Sequence, residues 1–120
     1  MKRFTPEQLA EVFRVIGGKC RIIIPKTPTC LYLDVEGVDE EVKLEWGWDH
    51  RMVNQHWKCY AEDLVPDDRT GSDAFVEHGI ASGNDFNAVL KEVGEWLDEW
   101  AERRKAMAQQ KATTEADIPF

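Results

Sequence analysis

The 120-residue chain predicts an α+β fold: an N-terminal helix, an antiparallel sheet of three to five strands, and a long C-terminal helix packed on that sheet. Three observations carry the prediction. Apolar residues recur at helical spacing at both ends of the chain, alternate with period two through the middle, and are separated there by clusters of turn-forming residues. Hydrophobic residues make up 42% of the chain, which suffices for one packed core.

Thr5-Pro6-Glu7-Gln8 opens the first helix. Thr5 can cap it, Pro6 suits the first helical position, and Gln8 completes a capping box. Leu9, Val12, Phe13 and Ile16 follow as one apolar stripe, and Gly17-Gly18 ends the run.

Three strands follow at 20–24, 31–36 and 41–48. Leu31, Leu33 and Val35 alternate with Tyr32, Asp34 and Glu36, and Val42, Leu44 and Trp46 alternate with Glu41, Lys43 and Glu45. Such alternation marks strands with one buried and one wet face. Pro25-Lys26-Thr27-Pro28 and Gly37-Val38-Asp39 supply the turns of an antiparallel meander. Segments 56–60 and 74–80 read as short further strands, and 65–72 reads as a loop.

Asn84 or Asp85 can cap the last helix. Phe86, Val89, Leu90, Val93, Trp96, Leu97 and Trp100 then form a continuous apolar stripe, interrupted by Gly94 where the helix is expected to cross the sheet closely. Beyond Trp100 the stripe fades. The sequence divides into one domain over 1–108 and a flexible tail over 109–120 that ends in a short peptide. The order of elements matches that of double-stranded-RNA-binding domains, but Asn84-Asp85 stands where those domains carry a basic motif.

The formal net charge of −8 argues against nonspecific binding to duplex DNA, which needs clustered Lys and Arg. No apolar run approaches the length of a membrane span, and the N-terminus lacks the apolar core of a signal peptide, so a cytoplasmic protein is expected. Cys20, Cys30 and Cys59 are odd in number and sit in apolar surroundings, as reduced thiols do.

The chain ends Glu115-Ala116-Asp117-Ile118-Pro119-Phe120. These residues resemble the C-terminal tip of bacterial single-stranded-DNA-binding proteins, in which acidic residues precede Ile-Pro-Phe. The resemblance covers the last four to six residues and does not reach the body. It implies docking onto DNA-maintenance enzymes that read such tips, of the exonuclease I, RecQ, RecO and PriA class. In that role Phe120 fills a pocket while its carboxylate meets a basic rim. Pro119 pre-orders the backbone, Ile118 adds apolar area, and Asp117 and Glu115 face a basic ridge. Ala116 makes this tip less acidic than is usual in the family.

The body admits two further readings. The five tryptophans, with Tyr32 and Tyr60, can supply rings on which unpaired bases stack. The candidate contacts are Trp48, Trp57 and Tyr60, with Lys43, Arg51 and Lys58 for the phosphates. Trp46 and Trp48 share a strand face, so Trp48 can instead extend the buried set, and Trp96 and Trp100 read as core. Alternatively, the acidic run Asp34, Glu36, Glu41 and Glu45 can present carboxylates in place of DNA phosphates to a nuclease or defence complex.

His50, His56 and Cys59 match no standard zinc spacing, so neither metal nor cofactor is predicted. No nucleophile with a recognisable base, phosphate-binding glycine loop or catalytic carboxylate motif is present, and the chain is not expected to be an enzyme. The overall expectation is an accessory protein of DNA replication, recombination or repair, of the size and charge of many phage-encoded proteins.

Overall fold

A computed structural model describes residues 2–49, 52–67 and 72–116. The predicted α+β architecture is present. Helix α1 (Pro6–Ile16) is followed by strands β1 (Arg21–Ile23), β2 (Cys30–Asp34), β3 (Glu41–Trp48), β4 (Gln55–Asp67) and β5 (Ser72–Gly83), then by helix α2 (Phe86–Ala116). The strands form one antiparallel meander in chain order. Each connects to its neighbour directly, as short turns dictate.

The capping box of α1 forms as expected. Thr5 Oγ1 accepts from the Gln8 amide at 3.1 Å, and Gln8 Oε1 accepts from the Thr5 amide at 2.9 Å. Val12 and Ile16 are fully buried, whereas Phe13, expected on the same stripe, is exposed. The buried face is centred between Val12 and Ile16, and at 100° per residue Phe13 lies about 80° from that centre. Val15 takes its place against the core.

The helices cover one face of the sheet. Leu31 and Leu33 of β2, Val42 and Leu44 of β3, Trp57, Cys59 and Ala61 of β4 and Ala81 of β5 point into a core closed by Val12, Ile16, Val89, Leu90, Val93 and Leu97. Asp85 caps α2, its Oδ1 accepting from the Asn87 amide at 3.0 Å and the Ala88 amide at 3.3 Å.

Two ring assemblies close the ends of this core. At one, Trp57 lies 5.3 Å from Phe4, 5.3 Å from Trp46 and 4.8 Å from Phe86, centroid to centroid. Lys2 Nζ stands 4.4 Å over the Trp46 ring. At the other, Trp96 and Trp100 stack at 6.3 Å with planes 7° apart. Trp100 Nε1 donates to the Glu36 carbonyl at 2.9 Å, and Arg104 pairs with the Glu36 carboxylate at 2.9 Å. Gly37 makes the adjoining turn at φ +84°, where a side chain would be strained.

Three expectations need correction. β4 and β5 are longer than the short strands read at 56–60 and 74–80, and their pairing continues from Trp57↔Gly83 out to Asp67↔Ser72. Of the segment read as a loop, 65–67 and 72 are therefore strand, and 68–71 lie outside the described residues. β3 pairs with β4 only as far as Glu41↔Glu62. Beyond that point β4 and β5 project as a two-stranded ribbon, and Pro66 sits where β4 has a single neighbour, the setting in which a strand accommodates proline.

Second, α2 is helical to Ala116, so residues 109–116, read as tail, continue the helix. Ala106, Met107, Ala108, Gln109, Gln110, Lys111 and Ala112 are good helix formers and extend the helix from local propensity alone. At 1.5 Å per residue the helix is about 46 Å long, and residues 105–109 are exposed on every side.

Third, Gly94 faces α1 and not the sheet. A Cβ there would meet Val15 Cγ1 at 3.6 Å and Ile16 Cγ2 at 3.9 Å, which are ordinary contacts. Gly94→Ala is therefore expected to stabilise the protein by about 1 kcal/mol through helix propensity. In a thermal melt, that gain appears as a rise of about 4 °C in Tm.

Candidate functional site

The uncovered face of the sheet carries the polar and charged residues that alternate with the core. Register aligns Cys30, Glu45, Lys58 and Ser82 in one row across β2 to β5, and Tyr32, Lys43, Tyr60 and Gly79 in the next. Glu41, Glu62 and Glu77 form a third.

A bulge sets the β5 contribution. Cys59 pairs with Ala81 but Tyr60 pairs with Gly79, leaving Ile80 as an extra residue. One inserted residue inverts the alternation of the strand beyond it. Glu77 thereby joins the Glu41–Glu62 row on the open face.

These side chains bond to one another. Tyr60 Oη donates to Glu45 Oε1 at 2.8 Å, and the Tyr60 ring lies under Lys58 Nζ at 4.4 Å. Lys58 Nζ also reaches Glu77 at 3.3 Å, and Lys43 Nζ reaches Glu62 at 3.1 Å and Glu41 at 3.8 Å. Burial, then the bond to Glu45, drives the Tyr60 hydroxyl well above the usual phenol range. Burial and the neighbouring Glu45 charge push the Cys30 thiol up to about 12. Burial works against the Lys43 ammonium, but Glu62 and Glu41 outweigh it and the net shift is upward.

The arrangement has an electrostatic polarity that composition does not reveal. The lysine side chains are nearly covered, Lys43 at 18% exposure and Lys58 at 13%, while Glu41 is 54% and Glu77 48% exposed. Among the described residues Glu41 and Glu77 are thus more open to solvent than the lysines they pair with, whereas Glu62 is as covered as Lys43.

The predicted base-stacking set is not assembled. Trp57 belongs to the core on the helix-covered face, and Tyr60 is buried with its hydroxyl bonded to Glu45. Lys43 and Lys58 are paired with carboxylates. Trp48 is exposed, at 44%, and does not extend the buried set, whereas Trp46 packs against the core. Arg51 lies outside the described residues. Trp96 and Trp100 are partly buried against the core.

The acidic run is likewise divided. Asp34 and Glu41 line a cavity of about 350 Å³ at the β1 edge with Ile23 and Tyr32, Glu45 is bonded to Tyr60, and Glu36 is drawn towards α2 by Arg104. Cys59 faces the core while His56, three residues earlier, alternates to the open face, and His50 lies outside the described residues. No group of His, Cys, Asp and Glu among the described residues is arranged to hold a metal ion.

Trp46, Trp48, Met52, Glu45, Glu62 and Glu77 are among the residues lining a groove of about 900 Å³. The sequence reading missed Met52, Glu62 and Glu77. Alternation through Lys58, Tyr60 and Glu62 signals the second of them, but the position of Glu77 depends on the bulge.

Glu115 falls in the last turn of α2, and Asp117, Ile118, Pro119 and Phe120 lie outside the described residues. No helix of the described residues is long and apolar enough to cross a membrane. In comparisons with known proteins the chain matches no family model, no curated protein and no solved structure.

Proposed function

We propose that this chain is a non-enzymatic accessory protein of DNA metabolism that docks through Asp117-Ile118-Pro119-Phe120 onto enzymes reading the tips of single-stranded-DNA-binding proteins. The observation that carries the reading is that tetrapeptide itself, an acidic residue followed by Ile-Pro-Phe. A phage-encoded cytoplasmic protein that recruits or blocks such an enzyme accounts for this peptide on an acidic body.

The course of α2 supports the reading. Its helix leaves the core after Trp100 and Arg104 and continues to Ala116, the residue before the tetrapeptide. Stacking of single-stranded DNA on the sheet receives less support, since Trp57 and Tyr60 are buried and the lysines are covered.

The test is binding of the full chain, and of a version lacking Ile118–Phe120, to purified exonuclease I and RecQ by fluorescence anisotropy. The deletion is expected to weaken binding at least about a hundredfold, the loss of an anchoring aromatic hot spot, with an unchanged melting temperature. Equal binding by the two versions would overturn the proposal.

A further inference from the structure

We infer that the outer edge of β5 over residues 72–79 is a self-association surface, on which the same strand of a second copy pairs antiparallel across a two-fold axis. This inference is independent of the C-terminal peptide, because none of its residues lies beyond β5.

Backbone chemistry defines the site. β5 closes the sheet on one side, and among the described residues it pairs with β4 alone. Successive residues of a strand direct their N–H and C=O groups to alternate edges, so half of those in 72–79 face outward. Their chemical complement is a second extended backbone. At about 3.4 Å per residue this stretch offers a pairing about 27 Å long.

The shape of the sheet gives this edge a reason to be covered. Beyond Glu41↔Glu62 only β4 and β5 remain, and their pairing runs on to Asp67↔Ser72. A ribbon of two strands is marginal by itself, and a third or fourth strand stabilises it. Two ribbons joined through β5 make the order β4-β5-β5-β4, in which both inner strands are paired on each side.

Comparison of the edges selects the occupant. β1 has only three residues and runs on towards Pro25, and the projecting edge of β4 carries Pro66. Short strands and prolines close an edge to strand addition. β5 has neither proline nor lysine from Ser72 to Gly83, and its exposed Glu77 reaches back over β4 to Lys58. The bulge at Ile80 distorts the far end of the strand and limits regular pairing to the stretch before it. With the β1 and β4 edges blunted, a second copy is left β5 on β5. That arrangement is isologous and closes as a dimer, whereas β5 on β1 would propagate as a fibre.

The experiment is sedimentation velocity of the full chain over a dilution series, with amide hydrogen exchange at both ends of the series. The parent is compared with the double variant His78→Lys, Gly79→Lys and with Glu99→Lys on the exposed side of α2. His78 is exposed and a Cβ at Gly79 meets nothing within 4 Å, so the edge lysines leave the monomer intact. Adjacent side chains point to opposite faces, so the pair guards both sides of the edge. Both variants raise the formal net charge of −8 by two and relieve general repulsion between copies equally.

The parent is expected to dimerise reversibly, and amides within 72–79 should gain protection as concentration rises. The edge lysines are expected to weaken the dimer at least about tenfold at an unchanged melting temperature, as like charges set opposite one another do. Glu99→Lys should dimerise at least as well as the parent. A parent that stays monomeric to the limit of its solubility would overturn the inference. So would a double variant as dimeric as the parent, equal weakening by Glu99→Lys, or a dimer whose formation leaves exchange in β5 unchanged.

Discussion

Trp57→Ala is expected to cost about 4 kcal/mol of unfolding free energy. Trp57 is buried, and its ring is the common member of an assembly that joins four parts of the chain. Phe4 brings the N-terminal segment, Trp46 brings β3, and Phe86 brings the first turn of α2, all within 5.3 Å of it. Truncation removes the transfer free energy of the indole and leaves a cavity that four separately anchored elements cannot collapse to fill. For a domain whose total stability is about 5–15 kcal/mol, such a loss is a large fraction. Chemical denaturation reads it directly, and in a melt it corresponds to a fall in Tm of about 15 °C. Trp48→Ala provides the contrast, because an exposed tryptophan at the end of β3 should change stability by less than about 1 kcal/mol. Similar losses from both substitutions would mean that the ring assembly is not what closes this end of the core.

The second large effect is a loss of stability in alkali. Burial pushes the Cys59 thiol from its ordinary value of 9.0 up to about 12, with the neighbouring Cys20 and Cys30 adding in the same direction. The native state therefore holds this proton over a range in which the unfolded chain has released it. A folded-state pKa above the unfolded value means that stability is intact below about pH 9 and is lost as pH rises towards 12. For a thiol as buried as Cys59 the slope is about 1.4 kcal/mol per pH unit within that window. Cys20, raised to about 11, and Cys30, raised to about 12, act with the same sign but are half-buried, so solvent screening reduces their share. Denaturant titrations from pH 7.5 to 10.5 should show a plateau followed by a decline that begins near pH 9. Cys59→Ala should cost about 1–2 kcal/mol at neutral pH through lost packing and make the decline shallower. An undiminished slope in that variant would assign the alkaline transition to other groups.

The parts of the fold that were legible in the sequence are those in which one local rule acts alone. Thr5, Pro6 and Gln8 specify the start of α1 through hydrogen bonds closed within four residues. The alternation from Glu41 to Trp46 specifies β3 and the face it buries, because side-chain direction in a strand has a period of two. The stripe from Phe86 to Leu97 specifies the buried side of α2 by the same kind of argument. The Asp117–Phe120 motif is also a local feature, read without reference to any other part of the chain.

What escaped the sequence depended on a partner. Phe13 has the right residue type and nearly the right spacing, but which edge of the stripe is covered is decided by where α2 lies. Residues 62–67 and 72–77 have indifferent strand propensity taken singly, and they become strands because each supplies the other's backbone hydrogen bonds. Trp48 and Trp57 are both tryptophans in strands, and only the packing of Phe4 and Phe86 around Trp57 separates the buried ring from the exposed one.

The sequence by itself thus determined the α+β class, the order of its elements, the buried strand faces of β2 and β3, and the terminal motif. Tertiary structure alone decided the character of the open face. The extra residue at Ile80 turns Glu77 to that side, the pairing of β3 with β4 sets Lys43 beside Glu62, and the pairing of β4 with β5 sets Lys58 beside Glu77. Periodicity is a property of one segment, whereas register and ion pairing exist only between segments. The sign of the surface that a partner meets is therefore set by the register between strands and not by composition.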